Sequence, residues 1–146
     1  MYRNGTFLVP WGCAVECRNR RIRVLVADDS PNALRSVCKF LNSIEEFEIV
    51  GTARDGQHLL HQAERFRPDL VLTDLSMPQK NGLEAAIELR KSFPAMRVLI
   101  LSELSGLSLR EECLRSGADG FVEKFQMPES LMAEVRRLFP EKPQVD

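Results

Sequence analysis

The 146-residue chain has few of the residues that mark specialised protein classes: four cysteines, two histidines, one tryptophan and one tyrosine. Cysteines this few and this scattered exclude a disulfide-stapled scaffold. We interpret Cys38 and Cys113, which fall in helical patterns, as small core residues. The Cys13/Cys17 pair is interpreted as two free thiols rather than the start of a metal site. The sequence therefore indicates a soluble protein of a reducing, cytoplasmic compartment.

An excess of charge is also lacking, because 20 Lys and Arg residues stand against 21 Asp and Glu, for a net charge of −1. This balance argues against direct nucleic acid binding and against a polybasic membrane anchor. No apolar run approaches the roughly 20 residues that span a bilayer. We therefore expect neither nucleic acid nor membrane as a partner.

The first twenty residues show neither helical nor strand periodicity. Their apolar piece, Phe7-Leu8-Val9, is cut by Pro10, which is not the pattern of a secretory signal. We predict a flexible, dispensable arm over residues 1–20, one folded domain over 21–140, and a short tail over 141–146. The middle segment is long enough to bury a core of its own.

From residue 21 onward, short apolar runs alternate with helical patterns. Five runs are predicted to be buried strands: Ile22–Ala27, Phe47–Val50, Val71–Asp74, Arg97–Leu101 and Gly120–Val122. Regular alternation with helices predicts βαβ units and an α/β fold with a doubly wound parallel sheet. For five strands the common order is 2-1-3-4-5.

Polar side chains stand where these strands end. Asp28 and Asp29 follow the first run, and Asp74 ends the third. In the 2-1-3-4-5 order the first and third strands are neighbours at the switch point, where open α/β sheets bind ligands. Ser102 and Lys124 follow the fourth and fifth strands, at the same edge of the sheet. We therefore expect these five side chains to meet in one crevice.

Three carboxylates in one crevice repel one another unless a proton or a cation neutralises them. Oxygen ligands without histidine or cysteine suit Mg²⁺. A carboxylate can also attack phosphorus to give an acyl phosphate, and the Lys124 ammonium and Ser102 hydroxyl can bind the phosphoryl oxygens. Taken singly, an aspartate at a strand end is often only a turn or cap residue. The prediction therefore depends on all five residues converging.

Four motifs together resemble the receiver domain of bacterial two-component response regulators, the CheY-like family with a flavodoxin-like fold. They are Val-Ala-Asp28-Asp29-Ser-Pro, Asp74-Leu-Ser-Met-Pro-x-x-Asn-Gly, Leu-Ser102, and Phe121 three residues before Lys124. The resemblance covers about residues 21–139. It implies that Asp74 accepts a phosphoryl group from a sensor histidine kinase. It also implies that Asp29, Asp74 and the Ser76 carbonyl hold Mg²⁺, with Asp28 acting mainly through water.

By the same resemblance, Ser102 turns toward the phosphoryl group and the aromatic Phe121 follows it. The surface from strand 4 to helix 5 then changes, and this surface is also a candidate for homodimer formation. The string that begins at Asp74 is most similar to receivers attached to helix-turn-helix outputs.

Two residues depart from the family pattern, and two alternative functions stay open. Glu103 follows Ser102 where a small residue is usual, and Phe125 follows Lys124 where proline is common.

The first alternative function is a degenerate receiver that binds a partner without phosphorylation. The second is an Asp-nucleophile phosphohydrolase, which needs a second aspartate where this chain has Ser76. A flavodoxin would need a Ser/Thr-rich phosphate loop after the first strand, which the sequence lacks.

Overall fold

The computed structural model describes residues 20–140, together with the backbone of two short strands, Tyr2–Arg3 and Thr6–Phe7, which pair antiparallel. Apart from Arg20 and these two strands, the predicted arm lies outside the described residues, as does the predicted tail over 141–146. Among the described helices, none is long and apolar enough to cross a membrane.

Five strands form one parallel sheet. They are β1 (Ile22–Ala27), β2 (Phe47–Ala53), β3 (Leu70–Asp74), β4 (Arg97–Ser102) and β5 (Gly120–Glu123). Their spatial order is β2-β1-β3-β4-β5, which confirms the predicted doubly wound α/β fold. In the central pair, Ala27 at the end of β1 lies beside Thr73 of β3. The residues that follow these two positions therefore leave the sheet at the same level.

Five helices cover the two faces of the sheet. They are α1 (Pro31–Asn42), α2 (Gly56–Phe66), α3 (Gly82–Ser92), α4 (Leu107–Ser116) and α5 (Glu129–Leu138). Side chains of Ser30, Asp55 and Asn81 cap the first three helices, and Glu84 completes a capping box with Asn81. Helices α4 and α5 begin without a side-chain cap. Pro128, predicted to open the last helix, stands at its N-cap position.

β2 runs three residues beyond its predicted end, because Gly51 does not stop it. A register shift opposite Val24 and Leu25 lets Gly51 pair with Leu25, and the strand continues to Ala53. A glycine after an apolar run indicates a turn from sequence alone. Here it lies at an irregularity inside the strand instead.

Each face of the sheet buries its own core. On one face, Leu25, Val71 and Ile100 pack against residues of α2, α3 and α4, including Cys113. On the other, alternate strand residues pack against α1 and α5. Every residue of β3 is buried. A sheet covered on both faces leaves polar chemistry to its carboxyl edge, where β3 ends in Asp74.

Candidate functional site

Three carboxylates lie together at the carboxyl ends of β1 and β3. Oxygen atoms of Asp28, Asp29 and Asp74 all lie within 4.8 Å of one another. Asp28 is 3% exposed and Asp74 is 9% exposed, whereas Asp29 is open to solvent. The cluster is therefore a partly buried concentration of negative charge with one side facing water.

Lys124 supplies positive charge to two of these carboxylates. Its Nζ lies 2.9 Å from Asp28 Oδ2 and 3.1 Å from Asp74 Oδ1. The other oxygen of Asp28 accepts a hydrogen bond from the backbone N–H of Ser30 at 2.9 Å. Within residues 20–140, no group donates a hydrogen bond to Asp29 or forms an ion pair with it. One negative charge of the cluster therefore has no counter-charge among the described residues.

The pKa values of Asp74 and Lys124 follow from this arrangement. Burial raises the pKa of Asp74, and the charges of Asp28 and Asp29 add to the rise, while the hydrogen bond and charge of Lys124 oppose it. Burial lowers the pKa of Lys124, but hydrogen bonds and charges from Asp28 and Asp74 outweigh that effect and leave it raised. Lys124 is therefore a firmly protonated cation. A further positive charge beside Asp74 would stabilise its ionised form.

One cleft of about 390 Å³ is lined by the five predicted residues, Asp28, Asp29, Asp74, Ser102 and Lys124. Ser76, the proposed carbonyl ligand, lines it as well. Ser102 is 1% exposed, and its Oγ accepts a hydrogen bond from the backbone N–H of Leu104 at 2.9 Å. The structure thus brings together the carboxylates, the hydroxyl and the ammonium that the sequence placed at separate strand ends.

Phe121 does not reach this cleft. Its ring is 1% exposed and packs in the core beneath α2, α3 and α4. Arg110 of α4 donates a hydrogen bond to the Phe121 carbonyl at 3.0 Å. Phe121 therefore lies behind the site, in contact with the helix that follows the Ser102 loop.

Three strongly exposed apolar residues that follow the ends of β4 and β5 were missed from the sequence. Leu104, Leu107 and Phe125 are 60%, 70% and 69% exposed, the large apolar residues most open to solvent in the described part. Glu103 and Leu104 line the cleft mouth. The available signal was a pair of leucines flanking Ser105-Gly106, because exposed apolar side chains that lie close together often mark a contact surface.

The donor set fits a magnesium ion. Carboxylates and the loop residue Ser76 line the cleft, and no histidine or cysteine does. Mg²⁺ prefers oxygen ligands and keeps several waters, for which the cleft has room. The exposed, uncompensated Asp29 beside the buried Asp74 is the observation that favours a cation here.

Gly82 holds the loop after β3 against the site. A Cβ on Gly82 would lie 2.2 Å from the carbonyl oxygen of Asp74. Its backbone N–H donates to the Leu75 carbonyl at 2.8 Å. Only glycine permits this approach, so the Asn81-Gly82 motif fixes the path of the loop that carries Ser76.

Comparison with known proteins gives one consistent family. The family model described as the response regulator receiver domain matches residues 24–136. The transcriptional regulatory protein LnrK of Bacillus subtilis (strain 168) is 31% identical over 78% of this chain and 52% of its own length. The chain therefore spans about half the length of this curated relative.

Solved structures give the same result. The receiver domain of NarL from Mycobacterium tuberculosis matches with a TM-score of 0.75 and 29% identity, over 85% of this chain and 98% of that one. A CheX–CheY–BeF3–Mg²⁺ complex from Borrelia burgdorferi matches with a TM-score of 0.76 and 26% identity, over 83% and 92% of the two chains.

Proposed function

The chain belongs to the response regulator receiver domain family, and from that membership we propose that Asp74 accepts a phosphoryl group from a sensor histidine kinase. The observation that carries this proposal is the position of Lys124 Nζ, which contacts Asp28 and Asp74 together in an open cleft. The cation stands beside the carboxylate where a phosphoryl group would add negative charge.

On the receiver side, the transfer step uses Asp74, Lys124 and Ser102, which all line the cleft. An Asp74 carboxylate oxygen attacks phosphorus, and an O–P bond forms as the P–N bond of a phosphohistidine breaks. The imidazole leaves with the electron pair and takes a proton from solvent. Lys124 and the Ser102 hydroxyl bind the phosphoryl oxygens, so that charge is neutralised and the acceptor is positioned.

We propose Mg²⁺ as the cofactor, held by Asp29, Asp74 and the Ser76 carbonyl, with Asp28 acting mainly through water. The ion would offset the negative charge that carboxylates and phosphate share. The Borrelia burgdorferi complex named above carries Mg²⁺ together with a CheY protein, which supports a similar use here. Asp28 keeps Lys124 in place by its bond at 2.9 Å.

The response to phosphorylation is proposed to involve the surface formed by β4, α4, β5 and α5. Ser102 would turn its hydroxyl to the phosphoryl group and release the backbone N–H of Leu104. Phe121, which lies inside the core behind the site, would follow it. The exposed Leu104 and Leu107 would then be rearranged, and this surface is where we propose homodimers form.

The domain limits and setting are also proposals. We assign residues 21–140 to the receiver, because the sheet begins at Ile22 and the last apolar residue packed against the core is Phe139. The match covers about half the length of the similar regulators, and their names describe transcriptional regulation. We therefore propose a cytoplasmic signalling role in which any output to DNA depends on a separate domain.

We infer a phosphoacceptor rather than a turnover enzyme, and one experiment separates the candidates. The full chain is incubated with acetyl phosphate or phosphoramidate and Mg²⁺, and the protein is analysed by mass spectrometry. A receiver gains one phosphoryl group on Asp74, which persists for seconds or longer. Continuous release of phosphate would favour the phosphohydrolase, and no modification would favour the degenerate receiver.

Glu103→Ala should accelerate phosphorylation by acetyl phosphate about 2- to 10-fold, because a carboxylate at the mouth repels an anionic donor. Glu103 is exposed and lines the cleft, so its removal leaves the interior intact. The gain should shrink as ionic strength rises. Initial rates from phosphate-affinity gels or intact-protein mass spectrometry measure the effect.

Glu111→Ala is the matched control, since Glu111 is an exposed acid on α4 that does not line the cleft. It removes the same charge and should leave the rate unchanged. Equal rates for Glu103→Ala and the wild type would show that Glu103 does not slow phosphorylation.

Deletion of residues 1–19 should leave a folded domain that is phosphorylated at the wild-type rate. The reason is that β1 begins at Ile22 and Arg20, which pairs with Asp69 at 3.1 Å, is retained. Circular dichroism and urea unfolding check the fold. A truncated chain without a cooperative unfolding transition would show that the arm is part of the domain.

A further inference from the structure

We propose that Gly56, in the first turn of α2, positions the Ser76 carbonyl for Mg²⁺ although Gly56 does not line the cleft. This inference rests on the proposed function, since it takes Ser76 as a metal ligand. Gly56 is therefore assigned as a positioning residue that acts through the loop between β3 and α3.

A close backbone contact explains why glycine stands at this position, where alanine would be the better helix former. A Cβ on Gly56 would lie 1.9 Å from the carbonyl oxygen of Lys80 and 2.6 Å from its carbonyl carbon. Real Cβ contacts essentially never fall below 3.0 Å, so the two segments would have to separate by about 1 Å. The obstacle is backbone, so no side-chain rotation relieves it.

Lys80 belongs to the same closed loop as Ser76. The Gly82 N–H donates to the Leu75 carbonyl at 2.8 Å and joins the two ends of the loop. The first residue inside that ring is Ser76, and Lys80 lies near its far end. Gly82 itself lies close to the Asp74 carbonyl, since a Cβ there would come within 2.2 Å of that oxygen, so this end of the loop is held against β3.

The torsions between Lys80 and Ser76 leave little freedom to absorb a shift. Pro78 has a fixed φ, and its carbonyl accepts a hydrogen bond from the Lys80 N–H at 2.7 Å. Gln79 has φ 70°, a left-handed conformation that is costly for a residue with a side chain. A displacement imposed at Lys80 is therefore passed along the loop to the Ser76 carbonyl.

The two alkaline-earth ions should respond differently to such a displacement. Mg²⁺ demands nearly ideal octahedral geometry at about 2.1 Å, whereas Ca²⁺ accepts flexible geometry at longer distances. Changes in residues that orient a metal ligand typically cost about 10- to 100-fold in affinity. Gly56→Ala should therefore weaken Mg²⁺ binding by about that factor, and Ca²⁺ binding less.

The experiment titrates Mg²⁺ and Ca²⁺ separately into the metal-free full chain by isothermal calorimetry, below the unfolding range of every variant. Gly51→Ala is the matched control, because Gly51 lies on β2, away from the loop. A Cβ there would meet the Phe66 ring at 3.1 Å, and that ring can move. It tests general destabilisation and should leave both affinities unchanged. Lys80→Gly keeps the obstructing carbonyl but widens the backbone torsions open to that peptide, so adding it to Gly56→Ala should recover part of the Mg²⁺ affinity and of any lost stability.

A folded Gly56→Ala protein with the wild-type Kd for Mg²⁺ would overturn the inference and leave the proposed function standing. An equal loss of affinity in Gly51→Ala would also overturn it, because the effect would then reflect stability alone. Failure of the Lys80→Gly double variant to recover either folding or affinity would show that the Lys80 contact is not the cause. A wild-type chain that binds no Mg²⁺ would overturn the metal assignment and this inference together.

Discussion

Asp74→Asn should abolish phosphorylation and at the same time stabilise the metal-free protein. The amide cannot attack phosphorus as a carboxylate does, so no phosphoryl group is added. Stability rises because burial and the charges of Asp28 and Asp29 raise the pKa of Asp74 despite Lys124. A carboxyl group with a raised pKa costs stability once pH exceeds its unfolded value, and the neutral amide removes that cost.

The gain should appear as a higher Tm for Asp74→Asn than for the wild type in EDTA, because burial and the neighbouring carboxylates raise the pKa of Asp74. It should shrink as pH falls into the carboxyl titration range, where Asp74 in the wild type becomes protonated and loses its penalty. Thermal unfolding in EDTA across pH, with mass spectrometry after acetyl phosphate, measures both effects.

Asp69→Asn provides the contrast at the opposite edge of the sheet. Its carboxylate accepts from the Arg23 N–H at 2.9 Å and pairs with Arg20 at 3.1 Å. Loss of these favourable contacts should lower Tm, and phosphorylation should continue. If Asp74→Asn also lowered Tm in EDTA, the ionised Asp74 carboxylate would not destabilise the metal-free protein.

Lys124→Met should produce the largest loss of stability among cleft variants. The ammonium group bonds Asp28 and Asp74, and methionine leaves three carboxylates without a counter-charge. Breaking a buried pair by removing one partner costs about 3–5 kcal/mol, and the 16% exposure of Lys124 places the expected loss near the lower value, about 3 kcal/mol. Phosphorylation should slow about 10²- to 10³-fold, the usual effect of losing one group that stabilises the transition state.

Millimolar Mg²⁺ should restore part of the stability of Lys124→Met, because a divalent cation supplies the missing positive charge. Urea unfolding with EDTA and with Mg²⁺ tests this. Lys80→Met removes a lysine whose ion pair with Glu88 is at the surface, and it should cause no measurable loss. Equal stability of the two variants would contradict the central role of Lys124.

The sheet and its order could be predicted because the signal was local and repeated. Each buried run, such as the one ending at Asp74, carries its own apolar pattern, and alternation with helices then fixes a parallel sheet. The convergence of Asp28, Asp29, Asp74, Ser102 and Lys124 followed from that topology, since all five stand at strand ends.

The rest depended on tertiary contacts that leave no local pattern. The extension of β2 through Gly51 comes from a register shift against β1, and a glycine alone indicates a turn. The contact of Gly56 with Lys80 joins residues far apart in sequence. The exposure of Leu104 and Leu107 is seen only in the structure, because nothing in the local sequence separates them from buried leucines.

Helix α4 is attached to the domain more lightly than the other helices, with consequences for its hydrogen-exchange behaviour. It buries only Cys113 among its residues, and its N-cap residue, Gly106, provides no side-chain cap. Segments with few buried contacts open locally at low free energy while the rest of the fold stays closed. The amide protons of α4 should therefore exchange with deuterium ahead of those of β3, every residue of which is buried. A change at the cleft that contributes only a few kcal/mol can therefore shift α4 between its conformations while the rest of the domain stays folded.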